Sequence, residues 1–171
     1  GRHRVQSALK AVCSRYSISG IISIGFAGGL CSELKIGDLV IADTIREVGE
    51  NMGSLVVKNA NLLRIDAFLV EKALKLSFPE ILERKRGGLV TTNEPVCKPS
   101  EKNRLGKSCG AIAVDMESYY IFREAAGMKI PFLSVRAISD TVDQELIGFS
   151  SCIGPTGEVS KIKAGSHLLT H

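Results

Sequence analysis

Short apolar runs rich in β-branched residues alternate along this chain with segments whose apolar residues recur at helical spacing. Two of these runs, 111–114 and 131–138, give way to polar residues that include Glu117 and Asp140. Such alternation predicts an α/β fold, a three-layer αβα sandwich with a mostly parallel central sheet. Ligands bind outside the carboxyl ends of the strands in such sheets. The pattern therefore predicts a site for a polar small molecule near the two acids.

Length and composition narrow the classes of function. The 171 residues suffice for one domain with a sizeable core, so we expect a single domain over 1–171. The net charge is only +4, and no aromatic residues are interleaved with the cations, which argues against a nucleic-acid partner. No apolar run approaches the roughly 20 residues of a transmembrane helix. Five cysteines without a C-x-x-C pair predict a reduced, cytoplasmic protein with no metal site. We also expect no organic cofactor.

Periodicity and turn residues predict the individual elements. We expect an irregular, loop-like segment over 47–61, because asparagine and glycine are frequent there. The predicted strands are 21–24, 39–42, 87–92, 111–114 and 131–138. The predicted helices are 4–16, a helix from Asp66 to about residue 77, a short one from Pro99, then 116–126 and 158–169.

Asp140 has two interpretations. The Ser139–Asp140 pair suits the cap of a following turn, which would make Asp140 purely structural. Alternatively, Asp140 is half-buried at the end of a strand, where desolvation favours a proton-bearing carboxyl group at neutral pH. Such an acid protonates a leaving group. The sequence alone leaves both interpretations open.

Glu117 and Asp115 stand two residues apart and cannot share one face of a helix. Asp115 is the better placed of the two to cap the helix that follows. Glu117 either benefits from the helix dipole in the first turn or faces a crevice, where its carboxylate accepts hydrogen bonds from sugar hydroxyls. The glycine-rich turn 25–29 lacks the G-x-G-x-x-G spacing of a dinucleotide loop, so it predicts a tight turn or close backbone approach to a ligand.

Four stretches of the chain resemble the nucleoside phosphorylase and nucleosidase superfamily, with methylthioadenosine/S-adenosylhomocysteine nucleosidases as the nearest likeness. They are Ile21–Leu30, Leu34–Asp43, Ala113–Glu117 and Pro131–Asp140. The segment Gly154–Lys163, together with the glycine turn, is more similar to the hopanoid-associated branch, which acts on an adenosylated lipid precursor. The resemblance implies a phosphorylase/hydrolase-like fold, an adenosine-type nucleoside as substrate, and a homodimer or larger homo-oligomer.

The resemblance also implies roles for individual residues. Asp140 is the acid that protonates purine N7, Glu117 binds the ribose hydroxyls, and Met116 packs against the sugar. The remaining substrate-binding positions comprise Val96 and Cys97 at the base, Ala27 and Gly28 at the ribose and nucleophile, and Asp115, Phe26 and Ser139 beside them.

The residues in and before the glycine turn predict which nucleophile attacks the sugar. Phosphorylases of this superfamily carry an arginine before the turn and a hydroxyl residue within it, whereas this chain has Ser23 and Phe26 there. We therefore expect water to attack, with Phe26 narrowing or drying the nucleophile site. The alternatives are a phosphate-dependent purine nucleoside phosphorylase and a non-catalytic nucleoside binder. A nicotinamide dehydrogenase is disfavoured by the glycine spacing.

The start of the chain corresponds to a point well inside the family pattern. We expect an N-terminally truncated form that lacks the first strands and the acid that activates water. Catalysis by this chain alone is then expected to be impaired.

Overall fold

A computed structural model describes residues 2–51, 54–77 and 83–146 of the chain. The elements within these residues, in chain order, are α1 (Arg2–Cys13), β1 (Ile21–Gly29), β2 (Leu39–Asn51), β3 (Ser54–Arg64), α2 (Ala67–Leu74), β4 (Arg84–Thr91), α3 (Pro99–Cys109), β5 (Ala113–Asp115), α4 (Ser118–Gly127) and β6 (Phe132–Asp140). No helix in this part of the chain is long and apolar enough to cross a membrane.

The six described strands form one mixed sheet in the order β3-β2-β4-β5-β1-β6, and β2 also pairs with β6, which closes a ring. Strands β1 and β6, β2 and β4, and β4 and β5 pair in parallel. Strand β1 is antiparallel to β5, and β2 is antiparallel to β3 and β6. The α/β class is confirmed, but the sheet is less parallel than expected, because two antiparallel seams are needed to close the ring.

Helices pack on both faces of the sheet, as the sandwich prediction requires. Consecutive strand residues point to opposite faces, and Leu89 and Val90 accordingly join two different buried clusters. The first cluster includes Val70 of α2 and Phe122 of α4. The second includes Leu105 of α3. Helices α2 and α4 therefore pack on one face, and α3 packs on the other.

Several local predictions can be compared with the described elements. The N-cap at Asp66 is confirmed, since its carboxylate accepts from the backbone N–H of Phe68 at 2.8 Å and of Leu69 at 3.4 Å. The loop predicted over 47–61 is wrong: β2 and β3 pair there as a hairpin, because turn-forming residues often mark the bend between two strands. The helix predicted over 158–169 lies outside the described residues.

Helix α3 packs closely on the turn that follows β1. A Cβ atom added at Gly106 would lie 2.6 Å from the carbonyl oxygen of Leu30, so only glycine permits this approach. The same helix carries Lys102, which is completely buried. The close packing of α3 thus brings a cation into the interior beside the ends of β1 and β6.

Candidate active site

Strand β1 lies between the two strands that precede the predicted acids. Gly28 is the register partner of Val114 in β5 on one side and of Asp140 in β6 on the other. Neighbouring strands lie about 5 Å apart, so Val114 and Asp140 are separated by roughly 10 Å across β1. Glu117 follows Val114 by three residues, just beyond the end of β5. Asp140 therefore lies beside Gly28, and the strand that precedes Glu117 pairs with the same residue.

The arrangement of these strands differs from the one expected from the sequence. Strand β5 is antiparallel to β1, whereas β6 is parallel to it, so the strands before Glu117 and Asp140 run in opposite directions. The two acids do not share a common carboxyl edge of the sheet. What the two strands share is their pairing with β1 at Gly28.

Asp140 is buried at the end of β6, with a relative exposure of 4%. Its Oδ2 accepts from the Lys102 ammonium at 2.5 Å, and its Oδ1 accepts from the Ser139 hydroxyl at 2.6 Å. That hydroxyl also lies 3.3 Å from the carbonyl oxygen of Ala27. A Cβ atom at Gly28 would stand 2.9 Å from Oδ2, so a side chain there would crowd the carboxylate. Four predicted site residues thus meet at one point.

The structural interpretation made Asp140 the cap of a following turn, and the chain does turn at residues 142–143. Within the described residues, however, the hydrogen bonds to its carboxylate come from Lys102 and Ser139 and not from the backbone of that turn. The carboxylate is held by side chains instead. Its burial is consistent with the alternative interpretation, in which Asp140 is an interior acid at a strand end.

Lys102 is the residue at this site that the sequence analysis did not identify. Its ammonium donates to Asp140 Oδ2 and to the carbonyl oxygens of Thr141 at 2.9 Å and Gln144 at 2.8 Å. The three hydrogens of the ammonium thus have three acceptors. The sequence offered one signal, the spacing of Lys102 and Leu105. They stand three apart and so share one face of α3, and the structure buries both of them. A lysine on an apolar face is rarely buried without a partner.

Asp115 belongs to a second buried ion pair, with Arg136 of β6. The Arg136 Nε atom donates to Asp115 Oδ2 at 2.8 Å, and both side chains are almost fully buried. Asp115 also accepts from the Thr91 hydroxyl at 2.6 Å and from the backbone N–H of Ser118 at 3.1 Å. The bond to Ser118 agrees with the capping role predicted for Asp115. Because its oxygens are already engaged, the structure favours that role over contact with a ligand.

The guanidinium of Arg136 uses all five of its N–H donors within the protein. Besides Asp115, it donates to the carbonyl oxygens of Ser23 and Val135 and to the hydroxyls of Ser23 and Ser118. Ser23 stands where the sequence analysis looked for a phosphate-binding arginine. The hydroxyl of Ser23 instead binds an arginine that is already saturated, so this group has no donor left for a phosphate ion.

Glu117 occupies the N-cap position of α4 but makes no capping hydrogen bond through its side chain. The residue is exposed to solvent. Desolvation raises the pKa of Glu117, the negative charge of Asp115 raises it further, and Arg136 opposes both. A carboxylate that is exposed and not used as a cap is available to a ligand.

The remaining predicted residues lie at different depths. Val96 is buried in the same cluster as Val114. Cys97 is half-buried, and burial raises the pKa of its thiol while the charges of Lys102 and Asp140 also act on it, so it lies near that pair. Met116 is half-buried. Phe26 is 75% exposed, so the described residues give no support to a drying role.

A separate surface depression lies at the other end of β6 from Asp140. Its lining residues are Asp66, Phe68, Leu69, Lys129, Ile130 and Pro131. The residues predicted for the site are not among them. In the part of the chain that the structure describes, no three acidic, histidine or cysteine side chains are grouped to hold a metal ion.

Comparison with known proteins points to one family. Residues 1–151 match the model of the phosphorylase superfamily. A 5′-methylthioadenosine/S-adenosylhomocysteine nucleosidase from Tolumonas auensis is 29% identical over 156 residues, which cover 85% of this chain and 66% of that protein. The chain therefore spans about two thirds of the length of this relative.

Solved structures show the same fold. The nucleosidase of this type from Campylobacter jejuni has a TM-score of 0.71 and 22% identity, covering 84% of this chain and 65% of its own. The one from Colwellia psychrerythraea, solved in complex with adenine, has a TM-score of 0.69 and 22% identity, covering 82% and 62%.

The raised pKa of Glu117 gives a prediction for stability. Its ordinary value is 4.5, and the folded protein holds the proton more tightly than the unfolded chain does. Folding stability is therefore lost as pH rises through the folded pKa. We expect Glu117→Gln to be more stable than the unmodified protein at neutral pH, with the difference vanishing below the unfolded pKa. Urea unfolding as a function of pH measures this.

A control of opposite sign is available in Glu124, where a hydrogen bond from Gln6 lowers the pKa. There the stabilising contribution is present above the unfolded pKa and is lost as pH falls. Glu124→Gln is expected to lower stability at neutral pH. A Glu117→Gln protein that loses stability at neutral pH to the same extent would contradict the account of Glu117.

Proposed function

Since the chain belongs to the phosphorylase superfamily, we propose that it is a purine nucleosidase that hydrolyses the N-glycosidic bond of an adenosine-type nucleoside to free adenine. The substrate resembles methylthioadenosine or adenosylhomocysteine, or an adenosylated lipid precursor. One observation carries the proposal: Asp140 is a buried acid beside Gly28, and Gly28 also pairs with Val114 in the strand that precedes Glu117. The nucleosidase names of the relatives and the adenine bound to one neighbour support the choice of substrate.

The two acids suit the two demands of this reaction. Breaking an N-glycosidic bond builds positive charge on the sugar. A preorganised carboxylate such as Glu117 stabilises that charge and binds ribose hydroxyls. Protonation of purine N7 through Asp140 turns the base into a better leaving group, an effect of typically 10²–10⁴-fold.

The saturated arginine supports water rather than phosphate as the nucleophile. A phosphate ion needs cationic donors, and a free arginine fork serves best. Arg136 lies next to Ser23, but its N–H groups already donate hydrogen bonds to Asp115, to serines and to carbonyl groups. In this environment a neutral nucleophile is favoured. A phosphorylase is the alternative, and dependence of base release on phosphate would establish it.

The other site residues complete the pocket in this proposal. Val96 and Cys97 line the base, Met116 packs against the sugar, and Ala27 and Gly28 approach the ribose with their backbone. Close approach at Gly28 is supported by the lack of room for a side chain beside Asp140. Ser139 holds the Asp140 carboxylate, and Asp115 acts indirectly by fixing Arg136.

We further propose a single domain in the cytoplasm that assembles as a homodimer or larger homo-oligomer. Alternate residues of β1, Ile22, Ile24 and Phe26, are each more than 60% exposed in the described structure. Monomeric proteins seldom leave extended apolar surface uncovered, which favours a contact between copies. Light scattering of the purified protein is expected to give at least twice the monomer mass, and the monomer mass would contradict the assembly.

The reaction is tested by adenine release from methylthioadenosine with and without phosphate, using protein made from the complete coding sequence. We expect release without phosphate. Asp140→Asn is expected to lower kcat by at least about 10²-fold, since the general acid is lost, while adenine binding by calorimetry is mostly kept. Full activity of Asp140→Asn would remove Asp140 from the mechanism. Adenine binding without any turnover would identify a nucleoside-binding relative.

A further inference from the structure

Lys102 is a buried cation that the proposed reaction has not yet used. Its side chain has 0% exposure, and its partner Asp140 has 6%. Burying an ammonium costs several kcal/mol unless partners compensate for the lost water. Here a carboxylate and two carbonyl oxygens do so. One partner of this costly ion pair is the proposed general acid itself. This position points to a role for Lys102 in the reaction.

The pair gives Asp140 a source for the proton that it donates. A general acid must hold a proton before it can deliver one. The Lys102 ammonium lies 2.5 Å from Asp140 Oδ2 and donates a hydrogen bond to that oxygen. A proton passed to the purine can therefore be replaced along this hydrogen bond.

We propose that Lys102 positions Asp140 and supplies, through it, the proton that the departing purine takes up. This inference rests on the proposed nucleosidase function. Lys102 also binds the carbonyl oxygens of Thr141 and Gln144, so the ammonium fixes the turn after β6 together with the carboxylate. The tight packing of α3 at Gly106 keeps the nitrogen in place.

The proton transfer balances without any further reactant. When the bond between sugar C1′ and purine N9 breaks, its electron pair remains on the purine. N7 takes a proton from Asp140 as Asp140 takes one from the Lys102 ammonium, which becomes a neutral amine. Water gives hydroxide to C1′, and its remaining proton restores the ammonium. The products are free base and free sugar.

Other ionisable groups surround the pair. Cys97 lies close enough for Lys102 and Asp140 to act on its thiol, and Glu101 and Glu145 act on the same thiol. From the sheet, β1 presents Gly28 to the Asp140 carboxylate. Within the described residues, the hydrogen-bond donors to that carboxylate are the Lys102 ammonium and the Ser139 hydroxyl. Of these two donors, the ammonium is the charged one.

The test replaces Lys102 by glutamine, which donates hydrogen bonds but has no transferable proton. In protein from the complete coding sequence, we expect Lys102→Gln to lower kcat for adenine release on the order of 10²-fold, with KM little changed. The alkaline limb of the rate profile moves, because glutamine cannot replace the proton that Asp140 gives up. Lys107→Gln on the exposed side of the same helix is the matched control and keeps full activity.

A double variant separates a chemical role from a structural one. If Lys102 acts through Asp140, adding Lys102→Gln to Asp140→Asn lowers kcat no further, because residues that act as a unit are not additive. A kcat for Lys102→Gln within about three-fold of the unmodified protein, or an unmoved alkaline limb, would overturn the proposal, because a general acid is worth far more than that. So would a further large loss in the double variant.

Two additional outcomes are defined in advance. If Lys102→Gln does not fold, Lys102→Arg supplies the test, because a guanidinium keeps the charge but releases no proton. A kcat for Lys102→Arg within about three-fold of the unmodified protein would overturn the role of Lys102. An unmodified protein that releases no adenine overturns the proposed function itself. That result is obtained before any variant is compared, so the two failures are distinguishable.

Discussion

The ion pair between Arg136 and Asp115 is the interaction on which the geometry of the site depends. It joins β6 to β5 and reaches β1 through Ser23 and the start of α4 through Ser118. Removing one partner of such a pair leaves an uncompensated buried charge, which typically costs about 3–5 kcal/mol. The three strands that carry Gly28, Asp115 and Asp140 are thus held at fixed separations by one cluster.

Two buried ion pairs have different places in this arrangement. The Arg136–Asp115 pair lies within the sheet and is saturated, so it fixes geometry and offers nothing to a ligand. The Lys102–Asp140 pair lies at the end of β6 beside a glycine that leaves room for close approach. The first therefore serves as the frame, and the second contains the acid that we propose to be reactive. The same saturation of Arg136 favours hydrolysis over phosphorolysis.

Local sequence predicted the features that depend on near neighbours. Asp66 caps α2 because its partners are two and three residues away, and the strand 131–138 is apolar enough to be recognised as β6. The direction of β5 was not predictable from local sequence. The strand has only three residues, and its partners β1 and β4 are far apart in the sequence. Lys102 was missed for the same reason, since its carboxylate partner lies 38 residues away. The roles of the site residues, some of which lie around Gly28, were assigned from family resemblance rather than from periodicity.

The central claim is that one nucleoside lies against both acids, with its base at residue 140 and its ribose at Glu117. A crystal structure of the Asp140→Asn protein, made from the complete coding sequence and bound to methylthioadenosine, tests it most directly. The account predicts purine N7 within hydrogen-bonding distance of the residue 140 side chain, about 3 Å, and ribose hydroxyls on the Glu117 carboxylate. A nucleoside bound elsewhere, or the two side chains in separate cavities, would contradict it.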